Sequence, residues 1–256
     1  MRIISWNVNG LRSLQKGNYW QWLIDDAADI FCLQEIKAES VQLSEDMRQP
    51  AGYHSYFNSS RMRKGYSGVA TYSKQEPKEV HYDILPVEFN QEGRIIETKF
   101  SGFTLLNVYF PNGGGGPERL AYKLDFYDAF LEYIEKLRKD GESVIFTGDV
   151  NVAHTPLDIA EPERHRNHVG FLPEEREWMD QVVELGYIDT FRHFHPHTKD
   201  AYTYWDTYTR ARDRNIGWRL DYFFVSPDLE HKILRSEILP NIYGSDHCPV
   251  LLEITV

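Results

Sequence analysis

Residues 144–151 read Val-Ile-Phe-Thr-Gly-Asp-Val-Asn, a short β-rich run that is followed at once by an acid and an amide. Similar strand-like runs lie at residues 3–7, 30–34, 69–72, 95–100, 104–109, 144–147, 222–225 and 249–254. Stretches with helical spacing lie between them, at residues 19–27, 118–139 and 173–185. Helices interspersed among two groups of strands predict an α/β fold, a four-layer sandwich of two packed mixed β-sheets flanked by helices.

The chain is expected to form a single domain over residues 1–256. The glycine run at residues 113–116 is a loop signal, but it is too short to separate two domains. With 41% hydrophobic residues the chain can bury a substantial core. No apolar run approaches the roughly 18 residues that a membrane span needs. We therefore expect a cytoplasmic monomer with no membrane partner, whose cysteines, Cys32 and Cys248, stay reduced.

Charge limits how this chain could bind nucleic acid. The formal net charge is −11 at pH 7, which argues against gripping a polyanion over the whole surface. Positive residues nevertheless gather in three short runs: Arg61, Arg63 and Lys64; Arg164 and Arg166; and Arg210, Arg212 and Arg214. The sequence therefore predicts a local basic face on an acidic protein.

Acids, amides and one histidine recur at the ends of predicted strands. The residues concerned are Asn7, Glu35, Asp149, Asn151, Asp221, Asp246 and His247. Because strand ends on a rigid sheet bring catalytic groups together from distant sequence, we expect these side chains to share one site. Oxygen ligands with one histidine and no cysteine favour Mg²⁺ over zinc.

The spacing within this set indicates phosphoryl chemistry. Asp149 and Asn151 stand two apart on an extended segment, so one could orient a water molecule while the other holds a phosphate oxygen. His247 follows Asp246 directly, and Asp221 is available elsewhere. A carboxylate could thus orient the imidazole as a general acid or as a charged donor to phosphate. A serine-hydrolase interpretation lacks its nucleophile elbow.

Seven blocks of the chain resemble the signature blocks of exonuclease III-type apurinic/apyrimidinic endonucleases, within the wider endonuclease, exonuclease and phosphatase superfamily. They are SWNVNGLR (5–12), LQEIK (33–37), GYSGVA (65–70), YFPN (109–112), GDVNVAH (148–154), GWRLDY (217–222) and GSDHCP (244–249). Several blocks in the right order are far more specific than any one of them. The resemblance implies the same two-sheet sandwich and the same class of activity.

The resemblance also implies roles for individual residues. Glu35 would bind Mg²⁺, for which Mn²⁺ could substitute, and the metal set would further include Asn7, Asp149, Asn151, Asp246 and His247. Asp149 would position or deprotonate the attacking water, and His247, paired with Asp221, would donate to the scissile phosphate. Tyr109 and Asn112 would contact phosphate.

By the same resemblance the substrate is double-stranded DNA with abasic or other lesions. Tyr204, Trp218 and Leu220 would line a pocket for the flipped abasic sugar, Tyr208 would insert into the duplex, and Arg210 and Arg212 would contact its backbone. Cleavage 5′ to the abasic site would leave a 3′-hydroxyl and a 5′-deoxyribose phosphate. Side activities would be 3′→5′ exonuclease, 3′-phosphodiesterase and uridine-directed incision. The alternatives are another phosphodiesterase of the superfamily, such as a nonspecific nuclease, or an inactive damage-binding module.

Overall fold

The computed structural model describes residues 1–256 and contains twelve strands. They are β1 (Arg2–Asn7), β2 (Ile30–Gln34), β3 (His54–Asn58), β4 (Val69–Ser73), β5 (Glu79–His81), β6 (Ile95–Lys99), β7 (Thr104–Tyr109), β8 (Val144–Asp149), β9 (Ile188–Asp189), β10 (Asp221–Val225), β11 (Ile233–Ile238) and β12 (Val250–Ile254). Two six-stranded sheets result, in the orders β11-β12-β1-β2-β4-β3 and β5-β6-β7-β8-β10-β9. Each sheet has one parallel pair, β1 with β2 and β7 with β8, so both are mixed, as predicted.

Six α-helices accompany the sheets. They are α1 (Tyr19–Asp26), α2 (Glu45–Arg48), α3 (Pro117–Lys139), α4 (Pro162–His165), α5 (Pro173–Glu184) and α6 (Thr190–Phe194). Proline opens α3, α4 and α5, where its fixed φ suits the first turn and its missing N–H is not needed. None of the helices combines the length and the apolar character that crossing a membrane requires.

Three apolar clusters hold four layers together. A cluster between the sheets takes alternate residues from both, including Ile3 and Cys32 from one and Leu105 and Ile145 from the other. A larger cluster joins the second sheet to α3 and α5, and a third packs α1 against the first sheet. Because side chains alternate across a strand, each sheet buries both of its faces. The predicted sandwich is confirmed.

Four strands escaped the sequence prediction, namely β3, β5, β9 and β11. They are the four edges of the two sheets. Strand β9 has two residues, β5 has three, and β3 and β11 are partly exposed, so none carries a clear apolar pattern. Short, polar edges limit pairing with other chains, and the same property hides them from a search based on apolar periodicity.

Candidate active site

Strand direction collects the polar side chains at one edge of the sandwich. Parallel pairing places the ends of β1 and β2 together, so Asn7 lies level with Gln34, and it likewise places Tyr109 level with Asp149. Strand β10 runs the other way and begins at Asp221, directly opposite Asp149. Strand β8 is thus two residues longer than predicted, and β10 is one residue longer. Asp149 and Asp221 are therefore direct neighbours on adjacent strands.

A hydrogen bond between the sheets closes the site. The Asn7 side-chain amide donates to Asp149 Oδ2 at 2.8 Å. Asn151 donates to the same carboxylate twice, from its backbone N–H at 2.9 Å and from its side chain at 3.1 Å. The Asn112 side chain donates to Asn151 Oδ1 at 3.1 Å, so two predicted phosphate contacts meet here. These bonds fix the Asp149 carboxylate before any substrate arrives.

His247 is oriented by Asp221 rather than by its sequence neighbour Asp246. Its Nδ1 lies 2.7 Å from Asp221 Oδ2, and its Nε2 lies 3.9 Å from Asp149 Oδ2. Burial by itself would lower the pKa of His247, but the charges of Asp221 and Asp149 and the Asp221 hydrogen bond outweigh burial and raise it to about 10. The imidazolium can therefore donate from Nε2 near neutral pH.

The pKa of Asp149 is raised as well, which for a carboxylate favours the neutral form. Burial raises its pKa to about 7, with Asp221 adding to the rise and His247 opposing it. A general base works best when its pKa lies near the working pH. Asp149 and His247, 3.9 Å apart, can therefore act as base and as hydrogen-bond donor within one site.

The mouth of the site is rich in oxygen and already accommodates a cation. The ammonium of Lys37 lies 3.1 Å from Glu35 Oε1 and contacts Asn9 Oδ1. Asp246 accepts from the Asn9 amide with both oxygens at 3.0 Å.

A second group of potential metal ligands is buried. The ligand atoms of Asp149, Asp221 and His247 lie within 4.8 Å of one another. Asp221 Oδ1 is buried without a partner. Hard oxygen donors of this kind fit a divalent cation.

An aromatic wall borders the catalytic residues in a cavity of about 500 Å³. Backbone bridges pair Tyr204 with Trp218 on one side and with His247 on the other. A Cβ on Gly170 would stand 3.1 Å from the Trp218 ring, so glycine lets the ring pack closely there. Leu220 is buried in an apolar cluster against which Tyr204 and Trp218 pack, and the Tyr204 ring lies 4.9 Å from that of His247. The predicted pocket residues thus adjoin the predicted catalytic ones.

The residues predicted to contact the duplex, Tyr208, Arg210 and Arg212, differ in exposure and in their contacts with the rest of the protein. Tyr208 is 97% exposed, and Arg210 is exposed in a left-handed turn. Arg212, predicted as a DNA contact, instead donates to the carbonyls of Pro240 at 2.7 Å and Ile242 at 2.6 Å. Its guanidinium also lies over aromatic rings, 4.6 Å from Trp205 and 4.1 Å from Tyr243. The DNA contact predicted for Arg212 would therefore compete with these internal hydrogen bonds and ring contacts.

Sequence reasoning missed a buried network behind Tyr109. Arg94 lies under the Tyr109 ring at 4.7 Å and donates to its carbonyl at 2.8 Å. Glu92 accepts from Arg94 at 2.6 Å and from Arg119 at 2.9 Å, and Arg119 reaches the Asn112 carbonyl. One buried carboxylate thus supports the segment that carries both predicted phosphate contacts. No pattern in the sequence separates these charges from ordinary surface residues.

Comparison with known proteins matches residues 4–247 to the model of the Endonuclease/Exonuclease/phosphatase family. The exodeoxyribonuclease of Bacillus subtilis (strain 168) is 44% identical over 257 residues, covering 100% of both chains. The DNA repair nuclease APEX1 of Danio rerio is 40% identical, covering 100% of this chain and 83% of the relative. Among solved structures, an AP endonuclease from Archaeoglobus fulgidus is 32% identical, covers both chains completely and superposes with a TM-score of 0.89.

Proposed function

The chain belongs to the endonuclease/exonuclease/phosphatase family, and we propose that it is a DNA repair nuclease of the exonuclease III type that hydrolyses the phosphodiester 5′ to an abasic site in duplex DNA. The products would be a 3′-hydroxyl and a 5′-deoxyribose phosphate, with 3′→5′ exonuclease and 3′-phosphodiesterase as side activities. The observation that carries the proposal is the 3.9 Å approach of His247 to Asp149 beside the Trp218 wall of one cavity.

Asp149 and His247 would divide the chemistry. The oxygen of a water molecule attacks phosphorus, its proton passes to Asp149, and the bond from phosphorus to the 3′ oxygen breaks. His247, held charged by Asp221, donates a hydrogen bond to the nonbridging oxygens as negative charge builds on them. Asp246, at the mouth of the site, would act as an accessory acid for the leaving 3′ oxygen.

A bound divalent cation, Mg²⁺ or Mn²⁺, would neutralise charge on the phosphate and on the leaving oxygen. Glu35 would be its principal ligand, with Asn7, Asp149 and Asn151 contributing oxygen atoms nearby, and Asp246 is assigned to the leaving oxygen instead of the cation. We assign His247 to hydrogen-bond donation and not to the metal, because its Nδ1 is used by Asp221 and its pKa is raised to about 10. Tyr109, Asn151 and Asn112 would hold phosphate oxygens.

The aromatic wall of the cavity would select the lesion. Tyr204, Trp218 and Leu220 enclose a space beside the catalytic residues that a sugar without a base could enter. Tyr208 and Arg210 follow the cavity-lining residue Asp206 in sequence and are exposed, so they would be free to meet the duplex. We further propose that the protein acts as a cytoplasmic monomer.

The test is a set of matched duplexes with magnesium or with EDTA, carrying an abasic analogue, deoxyuridine, a 3′-phosphate or no lesion. We expect magnesium-dependent incision 5′ to the abasic analogue, with a 3′ end that a polymerase extends, slower release of the 3′-phosphate and slower cutting at deoxyuridine. Equal cutting of abasic and undamaged duplexes would identify a nonspecific nuclease. Tight binding of the abasic duplex without any incision would identify a damage-binding module.

A further inference from the structure

Asn151 has an unusual backbone that something must hold. Its φ is +60°, in the left-handed region that side-chain-bearing residues rarely adopt. Asparagine tolerates this conformation better than most residues, but it still depends on surrounding contacts. The Asn151 side chain donates to Asp149 at 3.1 Å and to the Phe110 carbonyl at 3.0 Å, so its position depends on this backbone.

The Asn151 carbonyl accepts a hydrogen bond from a buried ammonium. Lys123, in the first half of α3, is 0% exposed, and its Nζ lies 2.7 Å from that oxygen. The same Nζ lies 2.5 Å from an oxygen of Glu175, in the first turn of α5, which is also 0% exposed. An ion pair thus joins α3 to α5 on the outer face of the sheet, and its ammonium is hydrogen-bonded to Asn151.

The second oxygen of Glu175 holds the other border of the site. It accepts from the backbone N–H of Gly170 at 2.6 Å and of Leu172 at 3.0 Å. Gly170 lies between two functional groups: a Cβ there would be 3.1 Å from the Trp218 ring and 3.5 Å from the Asn151 carbonyl. A single ion pair therefore connects the catalytic amide with the pocket wall.

Stability alone does not account for this pair. It lies beside an aromatic cluster that includes Tyr127 and Trp178, with the Tyr127 ring 5.3 Å from the ammonium. Removing two charges from water is expensive, and apolar replacements of buried ion pairs are often neutral or stabilising. The hydrogen bonds of this pair reach three backbone groups of the site, the Asn151 carbonyl and the N–H groups of Gly170 and Leu172, so a role in fixing backbone conformation accounts for it better.

We propose that Lys123 and Glu175 are positioning residues for phosphodiester cleavage, in which the ammonium keeps Asn151 left-handed and the carboxylate keeps Gly170 against Trp218. This inference rests on the proposed function, since it takes Asn151 as a catalytic residue. Misplacing a catalytic group by about 1 Å can lower the rate by about 100-fold. The pair should consequently affect the chemical step more than DNA binding.

Two variants of the ion pair, compared with one control variant, separate an effect on the position of Asn151 from an effect on folding stability. Lys123→Met leaves the Glu175 charge buried and unpaired, so we expect a fall in melting temperature of about 8 °C or more. Lys123→Met/Glu175→Gln removes both charges, while the carbonyl of the introduced amide still accepts from Gly170, and should regain at least half of that loss. Its single-turnover incision of an abasic duplex should remain about 10- to 100-fold slow. Its affinity for that duplex in EDTA should change less than about threefold.

Glu97→Gln supplies the matched control. Glu97 is a buried carboxylate that accepts from Tyr133 at 2.6 Å, and neither residue lines the catalytic cavity. It should destabilise the protein without slowing the chemical step. Recovery of the incision rate together with stability in the double variant, or an equal rate loss in Glu97→Gln, would overturn the positioning role.

A readout without catalysis keeps the inference apart from the proposed function. In ¹⁵N-labelled protein, the Asn151 and Gly170 amide resonances should move in the double variant and stay in place in Glu97→Gln. Unchanged resonances in the double variant would overturn the positioning role, whatever the activity. A wild-type protein that leaves abasic DNA intact would instead reject the proposed function, while the amide shifts would still decide the geometry.

Discussion

The catalytic residues and the residues proposed to meet the duplex differ in burial and in their internal contacts. The catalytic floor comprises Asn7, Asp149, Asn151, Asp221 and His247, and none of these residues is more than 7% exposed. Hydrogen bonds join the side chains of Asn7 and Asn151 to Asp149, and the side chain of His247 to Asp221. The rim, which comprises Tyr208 and Arg210, is exposed to solvent, and Tyr208 is 97% exposed. The floor is ordered by the fold, whereas the rim has few internal partners to order it.

This difference assigns the two regions different tasks. Groups that stabilise a transition state work best when they are fixed in advance, because they then need no reorganisation during the reaction. Exposed side chains lose freedom when they bind, so each one contributes modestly to affinity. We therefore expect changes in the floor to alter rate constants strongly, and changes in the rim to alter binding weakly.

The largest effect should come from Asp149→Asn. The amide keeps the shape, and its single oxygen can still accept from the side chains of Asn7 and Asn151, but it cannot accept a proton from water. We expect single-turnover incision of abasic DNA to fall by about 10³-fold or more, with the dissociation constant in EDTA changed only slightly. Quench-flow assays and fluorescence anisotropy measure the two quantities. A near-normal rate would exclude Asp149 as the base.

Asp221→Asn should change the pH profile as well as the rate. Asp149 must lose its proton to act, so the wild-type rate should rise as pH increases through about 7; His247 must keep its proton, so the rate should fall above about 10. Asp221 raises the pKa of both groups. Without its charge both limbs should move to lower pH, and the rate at pH 8 should fall by about 100-fold. Single-turnover rates from about pH 5.5 to about pH 10.5 check this, and an unmoved alkaline limb would contradict it.

Glu35→Ala should act through the metal. We expect the magnesium concentration for half-maximal rate to rise by about tenfold, because a direct carboxylate ligand is lost. A titration of incision rate against magnesium measures it, and Asp83→Ala, a change at an exposed acid paired with Arg61, is a suitable control. The same half-saturation point in wild type and Glu35→Ala would reject Glu35 as a ligand.

The smallest effects are expected at the rim. Tyr208→Ala and Arg210→Ala should each weaken abasic-duplex binding by about three- to tenfold and leave the chemical step unchanged. Loss of one phosphate contact at Arg210 should also reduce the slope of log affinity against log salt by about 1. Binding titrations between about 50 and about 200 mM salt test this. A reduced single-turnover rate in either variant would mean that the rim takes part in catalysis.

The sequence predicted the floor better than the supports beneath it. Asp149, Asp221 and His247 were identifiable because polar residues at the ends of apolar strands form a visible pattern. Lys123, Glu175, Glu92 and Arg94 were not, because a charged residue on a helix or beside a strand looks the same in sequence whether it is buried or solvated. Their roles depend on contacts between distant segments, which periodicity does not record.

Arg212 shows a second limit of sequence patterns. As part of a run with Arg210 and Arg214 it suggested a DNA-binding rim, since charge clusters usually face solvent. Its guanidinium instead fastens the segment that precedes Asp246 and His247, through the carbonyls of Pro240 and Ile242. Composition alone could not distinguish an arginine that binds a partner from one that binds its own chain.

The central claim, that the floor cleaves while the wall selects, is tested most directly by a ratio of two rates. The ratio compares single-turnover incision at an abasic analogue with removal of an undamaged 3′-terminal nucleotide, for the wild type, Glu35→Ala and Trp218→Ala. Glu35→Ala should slow both reactions about equally and preserve the ratio. Trp218→Ala should lower the ratio by about tenfold, because the wall contacts the flipped sugar. An unchanged ratio in Trp218→Ala, or a changed one in Glu35→Ala, would contradict the division of labour.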